Sequence, residues 1–552
     1  MDMAALPADS ARFFGVACNW ACSALPRQAQ GTFTRKYQSG NPMKIFRSSL
    51  PLVTTLAGLL FAGSAMLGGA ARAAPAVSLS SSVGPPTTTV TVSGTSFGAN
   101  VLVDIYFDTT DLCLAIASGA GNISCTIKIP KDAQPQTHWI SAVQRSTSTG
   151  AQKSFVVRTD WTQFHGMNAK HTGFNPFENT INAANVRNLD ILWQAPIGPS
   201  GSHGTPAVAG GRVYVGSLDS KLYAFSSKTG AVVGGFPKVL GGQVNLSSPA
   251  VGSNIVYIGT TSPDNKLYAF KATTGAAIAG FPIALGGPTQ ASPTLYGGNV
   301  YVACTDGKIY AFNAATGATV PGFPITVGAS LVATVSAANG RIYVGSSLDW
   351  KFYAFDAATG AAVAGFPIST GNFIESTAAI VSGQIFFAGG DGKLHGLHRN
   401  GTDLSGFPTS ADVYSLYGSP AVGDGRVIYG NSKVYSYDPT NGALQWSKTL
   451  DINFGASPII ANGLVYVNTF SSLYALSEAN GVSLWRASVS TDLPASPVVA
   501  DGIVFIASTD GNLYAFSEGG KAPSSRLSGG ELGIKPALTS LRPDALLKAS
   551  RS

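Results

Sequence analysis

Charge is scarce in this sequence: only 11% of its 552 residues are Asp, Glu, Lys or Arg. So little charge leaves no room for much solvated helix surface and points to an all-β chain. The positive surplus of +7 is confined to the ends. Residues 1–73 hold seven Lys/Arg against two Asp/Glu, and residues 517–552 hold six against three. The stretch between them is near neutral, which gives no electrostatic reason to expect a nucleic-acid partner. Cysteine numbers five and histidine six. No Cys-x-x-Cys-His haem site, no H-E-x-x-H helix and no G-x-S-x-G nucleophile elbow is read. What abounds is turn chemistry, with 65 Gly and 31 Pro, beside a 45% hydrophobic content that is ample for a core.

Met43 opens an export pattern. Lys44 and Arg47 precede an apolar stretch from Leu50 to Leu67, and Ala71-Arg72-Ala73 supplies a small-x-small cleavage site. Residues 43–73 are read as a signal peptide and residues 1–42 as a misassigned N-terminal extension. The mature protein then carries no stable membrane anchor and is periplasmic or secreted. Cys18 and Cys22 fall outside it. Cys113 and Cys125 remain in one small domain, where export makes a disulfide feasible across a hairpin turning at Ser118–Asn122. Cys304 reads as a buried small hydrophobe.

Residues 74–158 read as short strands at Thr88–Ser93, Val101–Phe107, Ile123–Ile129 and Trp139–Gln144, separated by turn residues. That spacing suits a small β-sandwich. The run from Gly84 to Gly98 resembles the opening of immunoglobulin-like IPT/TIG domains, which act as spacers or interaction modules.

Beyond a linker or capping segment at 159–188, one phrase recurs eight times. It stands at Leu222–Phe225, Leu267–Phe270, Ile309–Phe312, Phe352–Phe355, Leu394–Leu397, Val434–Tyr437, Leu473–Leu476 and Leu513–Phe516, with starts 39 to 45 residues apart. A second phrase precedes it at Pro206, Pro249, Pro293, Pro420, Pro458 and Pro497, and is degenerate in the fourth and fifth copies. The third copy reads as four strands: Pro293–Leu295, Val300–Cys304, Ile309–Asn313 and Thr319–Ile325. Four short antiparallel strands every ~40 residues form a propeller blade. The last copy lacks a fourth strand, and Leu189–Ala195 supplies one. Residues 189–516 are therefore read as an eight-bladed β-propeller closed by its N-terminal strand. Residues 517–552 are read as a disordered tail.

These repeats resemble the pyrroloquinoline-quinone-type repeat of the quinoprotein alcohol dehydrogenase-like superfamily, with its A-x-D-x-x-T-G-x-x-x-W signature. Ala354–Gly360 carries the first part, and the spacings Gly442 to Trp446 and Gly481 to Trp485 carry the second. The resemblance implies that Trp446, Trp485 and, in the closing strand, Trp193 dock adjacent blades. Five blades depart, ending in Gly-Phe-Pro, where Phe236, Phe281, Phe323, Phe366 and Phe407 are expected to take over that packing. The family includes quinone-dependent dehydrogenases and the non-enzymatic propeller lipoprotein of outer-membrane assembly. The dehydrogenases hold quinone and calcium with a vicinal Cys-Cys disulfide, a stacking Trp and acidic and amide side chains. No Cys-Cys pair exists here.

Asp160, His165 and His171 in the capping segment invite a metal reading, but packing against the propeller is preferred. His203, before the first repeat, lies in a strand-entry loop of the kind that can line a propeller funnel, and a satisfied or solvent-exposed histidine is preferred to a catalytic one. His395 replaces the usual Tyr of the repeat, and its neighbour His398 is read with it as packing. Asp306-Gly307, Asp391-Gly392 and Asp510-Gly511 read as hairpin turns rather than calcium loops. The sequence thus points to a non-enzymatic binding or scaffold module that takes a protein or glycan ligand on one propeller face. No catalytic residue, no metal site and no cofactor is assigned. A quinoprotein binding pyrroloquinoline quinone with calcium, and a structural surface protein, are the alternatives. Oligomeric state is not read.

Overall fold

A computed structural model describes residues 73–328, 330–410, 418–430, 433–450, 457–489 and 495–520. The export pattern, the N-terminal extension and residues 521–552 lie outside the described residues.

The first domain has two sheets. β1 (Ala76–Leu79), β3 (Thr89–Thr95) and β6 (Ile123–Lys128) make one. The other runs in the order β2 (Val83–Gly84), β8 (Gly150–Val157), β7 (Thr137–Gln144), β4 (Leu102–Phe107) and β5 (Thr110–Ile116). In β3 the residues alternate, so Val90 and Val92 face inward while Thr89 and Ser93 face out. Val90, Val92, Val103, Ile105, Ile127, Ile140 and Phe155 share one core between the sheets.

Cys113 and Cys125 are joined, with Cα atoms 6.7 Å apart. The hairpin expected for them does not form. Cys113 lies on β5 and Cys125 on β6, in different sheets, and the turn at Ser118–Asn122 carries the chain from one sheet to the other. A second correction concerns Gly94-Thr95-Ser96-Phe97-Gly98, which does spell G-x-S-x-G. It leaves β3 in a turn with Ser96 at φ 65° and leads to another strand, so the letters are present without the strand-to-helix elbow.

The rest of the described chain is a β-propeller. Among the described residues, eight units of four antiparallel strands follow one another, over residues 207–239, 250–284, 294–326, 336–369, 379–410, 421–449, 459–488 and 498–518, and β9 (Phe174–Asn175) adds a fifth, parallel strand to the seventh. The last takes its fourth strand from β10 (Leu189–Pro196), paired Leu189 to Glu518 and Pro196 to Asn512. The final strand therefore runs to Glu518, past the expected start of the tail at residue 517.

The fourth strands differ for a local reason. In the third unit the expected strand Thr319–Ile325 reduces to Ile325–Thr326 and one isolated bridge, Phe312 to Thr319. Pro324 has no N–H to donate, and Gly322 takes a left-handed φ of 84°. Where Trp replaces the Gly-Phe-Pro ending, the outer strand is continuous, as in Leu444–Thr449 and Ser483–Ser488.

Neighbouring units lock in two ways. The Trp193, Trp446 and Trp485 indole N–H groups donate to the carbonyls of Ser227, Glu478 and Leu189, each in the next unit. In the Gly-Phe-Pro units the Phe ring packs edge-on against a second-strand ring, as Phe236 does against Tyr214 and Phe323 against Tyr301. The same tyrosines reach across: Tyr214, Tyr257 and Tyr301 donate to the carbonyls of Ala272, Ala314 and Ala357.

Candidate functional site

The innermost strand of each unit faces the axis, where among the described residues one further strand, the two-residue Phe174–Asn175 laid parallel on Ile460 and Ala461, pairs with one of them. The backbone groups of these innermost strands need partners from elsewhere. Two devices supply them.

The first is a belt of hydroxyls. The backbone N–H of Thr205 donates to Ser248 Oγ at 2.9 Å, Ser248 to Ser292 at 2.9 Å, Ser292 to Thr334 at 3.0 Å and Thr334 to Thr377 at 3.2 Å. Thr377 donates to Ser419 at 2.9 Å, Ser419 to Ser457 at 3.0 Å and Ser457 to Ser496 at 3.1 Å. Ser496 then donates to Thr205 at 3.0 Å, so the series returns to its start. All eight residues are buried. The signal was present in the second repeated phrase. In the fourth and fifth copies the proline is lost, but Thr334 and Thr377 keep the hydroxyl.

The second device is the capping segment, which visits the units in order. Trp161 exchanges backbone hydrogen bonds with Val208. Val251 then donates to Thr162 O, Leu295 to Gln163 Oε1, Ala337 to Ala169 O and Ile380 to Lys170 O. Val422 and Ile460 donate to Thr172 O and Gly173 O, and Asn175 Nδ2 donates to Val499 O. This plug closes one end of the axis.

His165 and His171 sit fully buried in the plug. His165 lies 2.8 Å from Pro458 O through Nε2 and 3.1 Å from His171 O through Nδ1. His171 meets Phe164 O through Nδ1 and, through Nε2, Thr294 Oγ1 and Val335 O. Asp160 is spent on the Gly210 N–H. The three are fasteners of the plug, and no group of three His, Cys, Asp or Glu among the described residues is placed to hold a metal.

Burial lowers both imidazoles to about 4, although the carbonyls beside them favour the proton. An unfolded His titrates near ~6.5. The stability this difference gives is full above that value and is lost as pH falls toward 4, because the unfolded chain takes protons that the plug refuses. Asp160, pushed up to about 6 by burial, acts in the opposite sense and gains stability as pH falls. His165→Gln separates the two. Its cost in urea denaturation should be larger at pH 7 than at pH 4.5, and an equal cost at both would contradict a buried neutral imidazole.

The axial cavity lies beyond the plug. It holds about 40 Å³ and is lined by Phe164, belt residues including Thr205, Ser292 and Thr334, and the side chains His203, Leu246, Gln290, Val332 and Glu375. These five stand two positions before the belt residue in successive units, and the matching positions 417, 455 and 494 lie outside the described residues. His203 Nδ1 is 2.9 Å from Asn245 Oδ1. Burial pushes the Glu375 carboxyl up to about 6. Gln290 and Glu375 were not singled out in the sequence, since neither belongs to a repeated phrase.

A quinone with calcium does not fit these residues. Cofactor sites take ~300–1,000 Å³, and Glu375 is the one carboxylate among the described residues lining this cavity. Of the described tryptophans of the units, Trp193, Trp446 and Trp485 are committed to docking, Trp350 stands exposed between two strands of the fourth unit and outside this lining, and Trp161 is buried in the plug. The turn aspartates, those of the Asp-Gly pairs and of Asp219-Ser220, are equally committed. Asp219, Asp306 and Asp510 accept from Tyr223, Tyr310 and Tyr514 at 2.6–2.7 Å, and Asp391 meets His395 at 3.2 Å. Cys304 is fully buried, its thiol donating to Gly287 O and pushed up to about 12.

Units of this kind, sealed by a belt and a plug, define a β-propeller of the quinone-type repeat class. The chain belongs to the family described as outer membrane protein assembly factor BamB, which it matches over residues 178–320, 263–428 and 430–523. No curated protein matches the sequence. Among solved structures, the quinohemoprotein alcohol dehydrogenase of Comamonas testosteroni is similar at 17% identity, over 68% of this chain and 83% of that one, with a TM-score of 0.55. The quinohemoprotein alcohol dehydrogenase ADHIIG of Pseudomonas putida HK5 is similar at 14% identity, over 68% and 82%, with a TM-score of 0.54. BamB from Moraxella catarrhalis gives 18% identity, over 61% and 99%, with a TM-score of 0.48. At such identities the likeness to the dehydrogenases speaks of fold alone.

Proposed function

We propose that this chain is an exported, non-enzymatic, eight-bladed propeller that binds a protein partner of the cell envelope, with an immunoglobulin-like sandwich beside it. The observation that carries the reading is the axial cavity. A site of about 40 Å³, walled by the hydroxyl belt and floored by Phe164, is no home for a cofactor. The belt of eight hydrogen bonds supports the blade number. The two-sheet arrangement of residues 76–157 supports the immunoglobulin-like assignment, and its disulfide suits an oxidising compartment. The family description, an outer membrane protein assembly factor, supports a protein partner at the envelope rather than a glycan.

Titration of the protein from Ala74 with pyrroloquinoline quinone and calcium tests this. The expected result is no saturable change in cofactor absorbance and no thermal stabilisation. Saturable binding with turnover of an alcohol would replace the reading with that of a quinoprotein.

A further inference from the structure

The repeats provide an internal control, because a feature the fold requires should recur at each junction between units. The junction between the fourth and fifth units breaks the pattern. At the first three junctions a tyrosine hydroxyl donates to an alanine carbonyl in the next unit. Here the Arg341 guanidinium donates to Arg399 O at 2.7 Å, as the Arg426 guanidinium does to Ala479 O at 3.4 Å between the sixth and seventh units. Arg399 stands where the second, third and fourth units carry Ala272, Ala314 and Ala357. Its stem lies over Gly383, whose position would bring a Cβ to 3.5 Å from Arg399 Cδ.

A groove of about 910 Å³ opens at this junction. Lys170 of the plug, Arg341, His398 and Arg399 line it, with Asn339 and Asn400 between them. Among the described residues its lining has no carboxylate, and none of the four basic side chains makes an ion pair. Asp356, the cross-strand partner of Arg341, feels its charge but accepts its hydrogen bonds from the N–H groups of Ala358 and Thr359 and the Thr359 hydroxyl. The corresponding groove between the second and third units, about 270 Å³, is lined without a charged side chain. A third groove, beside the first unit, carries Arg158, Arg212 and Lys228 but also the Asp501 carboxylate, so of these three grooves the one between the fourth and fifth units alone has basic side chains with no carboxylate among its described lining residues.

We infer that this groove binds an acidic segment of a partner protein, with Arg341 and Arg399 receiving its carboxylates. Guanidinium groups match carboxylates through paired N–H donors, and the asparagines add donors for a peptide backbone. Among the described residues the lining has no Phe, Tyr or Trp ring on which a base or sugar would stack. The inference rests on the binding-module reading and names the partner's chemistry.

Fluorescence anisotropy with a labelled oligoglutamate peptide, at low ionic strength, tests it on the full mature chain. Saturable binding that weakens with salt is expected. Arg341→Ala/Arg399→Ala should weaken it about tenfold or more, a loss of ~1.4 kcal/mol. Arg399→Gln, which keeps the stem, should weaken it less. Lys128→Ala/Lys153→Ala on the sandwich should leave it unchanged. Thermal unfolding of each variant checks that it is folded. Absence of peptide binding, equal loss in the sandwich variant, equal affinity for inorganic phosphate, or binding only to vesicles containing an anionic lipid would each overturn the inference. Those failures leave the quinone titration unaffected, whereas cofactor binding there would remove the reading beneath both.

Discussion

Trp161→Ala should lower the stability of the propeller by about 3–5 kcal/mol, the range for truncating a large buried aromatic side chain. Trp161 is fully buried and opens the plug. It exchanges backbone hydrogen bonds with Val208 and packs in one core with Ile181, Trp193, Val213 and Phe505. That core joins the plug, the closing strand and the first and last units, so a cavity there loosens the place where the ring is shut. The indole N–H meets no acceptor among the described residues. Trp161→Phe therefore removes a costly orphan donor along with some packing, and its net loss should stay below about 1.5 kcal/mol. Hydrogen exchange gives the spatial readout. The Val208 and Val251 amides should lose protection in Trp161→Ala, while those of the sandwich strand β3 keep it. Equal destabilisation by Phe and Ala would show that the ring's volume is not what holds the plug.

Gly406→Ala should cost about 2–6 kcal/mol, although it adds a single methyl group. Gly406 takes a φ of 76°, a region that costs a side-chain-bearing residue ~1–3 kcal/mol. An added Cβ would also lie 1.7 Å from Asn441 O in the next unit, a backbone atom that cannot step aside without moving the unit. Relief of such overpacking costs a further ~1–3 kcal/mol. The same approach recurs at Gly235, which faces Thr274 O at 1.9 Å, so the glycine of each Gly-Phe-Pro ending is a docking surface between units. Gly298→Ala is the matched control. Gly298 also has a positive φ, but its Cβ would meet nothing within 4 Å, so it should show the conformational cost alone. Urea denaturation of both variants measures the difference, and equal costs would remove the interface from the account.

Much of this molecule is written locally. The recurrence of Leu222–Phe225 and its seven counterparts gave the unit and its period, because each third strand needs the same inward-facing residues. The missing fourth strand after Phe516 and the spare one at Leu189–Pro196 gave the closure, because an unpaired edge is costly. The docking positions of Trp193, Trp446 and Trp485 followed from the repeat signature. Strand extent was less legible. Thr319–Ile325 has the composition of a strand, yet Gly322 and Pro324 take most of it out of the ladder.

The cysteine pair shows where local reading stops. A turn between two apolar runs looks like a hairpin, and only the sheet topology reveals that Cys113 and Cys125 bridge two sheets. The hydroxyl belt shows the same limit from the other side. The proline of the second phrase drew attention in sequence, while the feature that recurs in every unit is the hydroxyl beside it, kept at Thr334 and Thr377. The sequence by itself determined the all-β class, the repeat, its period and its closing strand, since these depend on alternation and turn chemistry within some forty residues. Tertiary structure alone decided the order in which the plug meets the units, the small size of the axial cavity and the gathering of Lys170, Arg341 and Arg399 in one groove. Those features arise from residues far apart in the chain, whose partners are chosen by the ring and not by their neighbours in sequence.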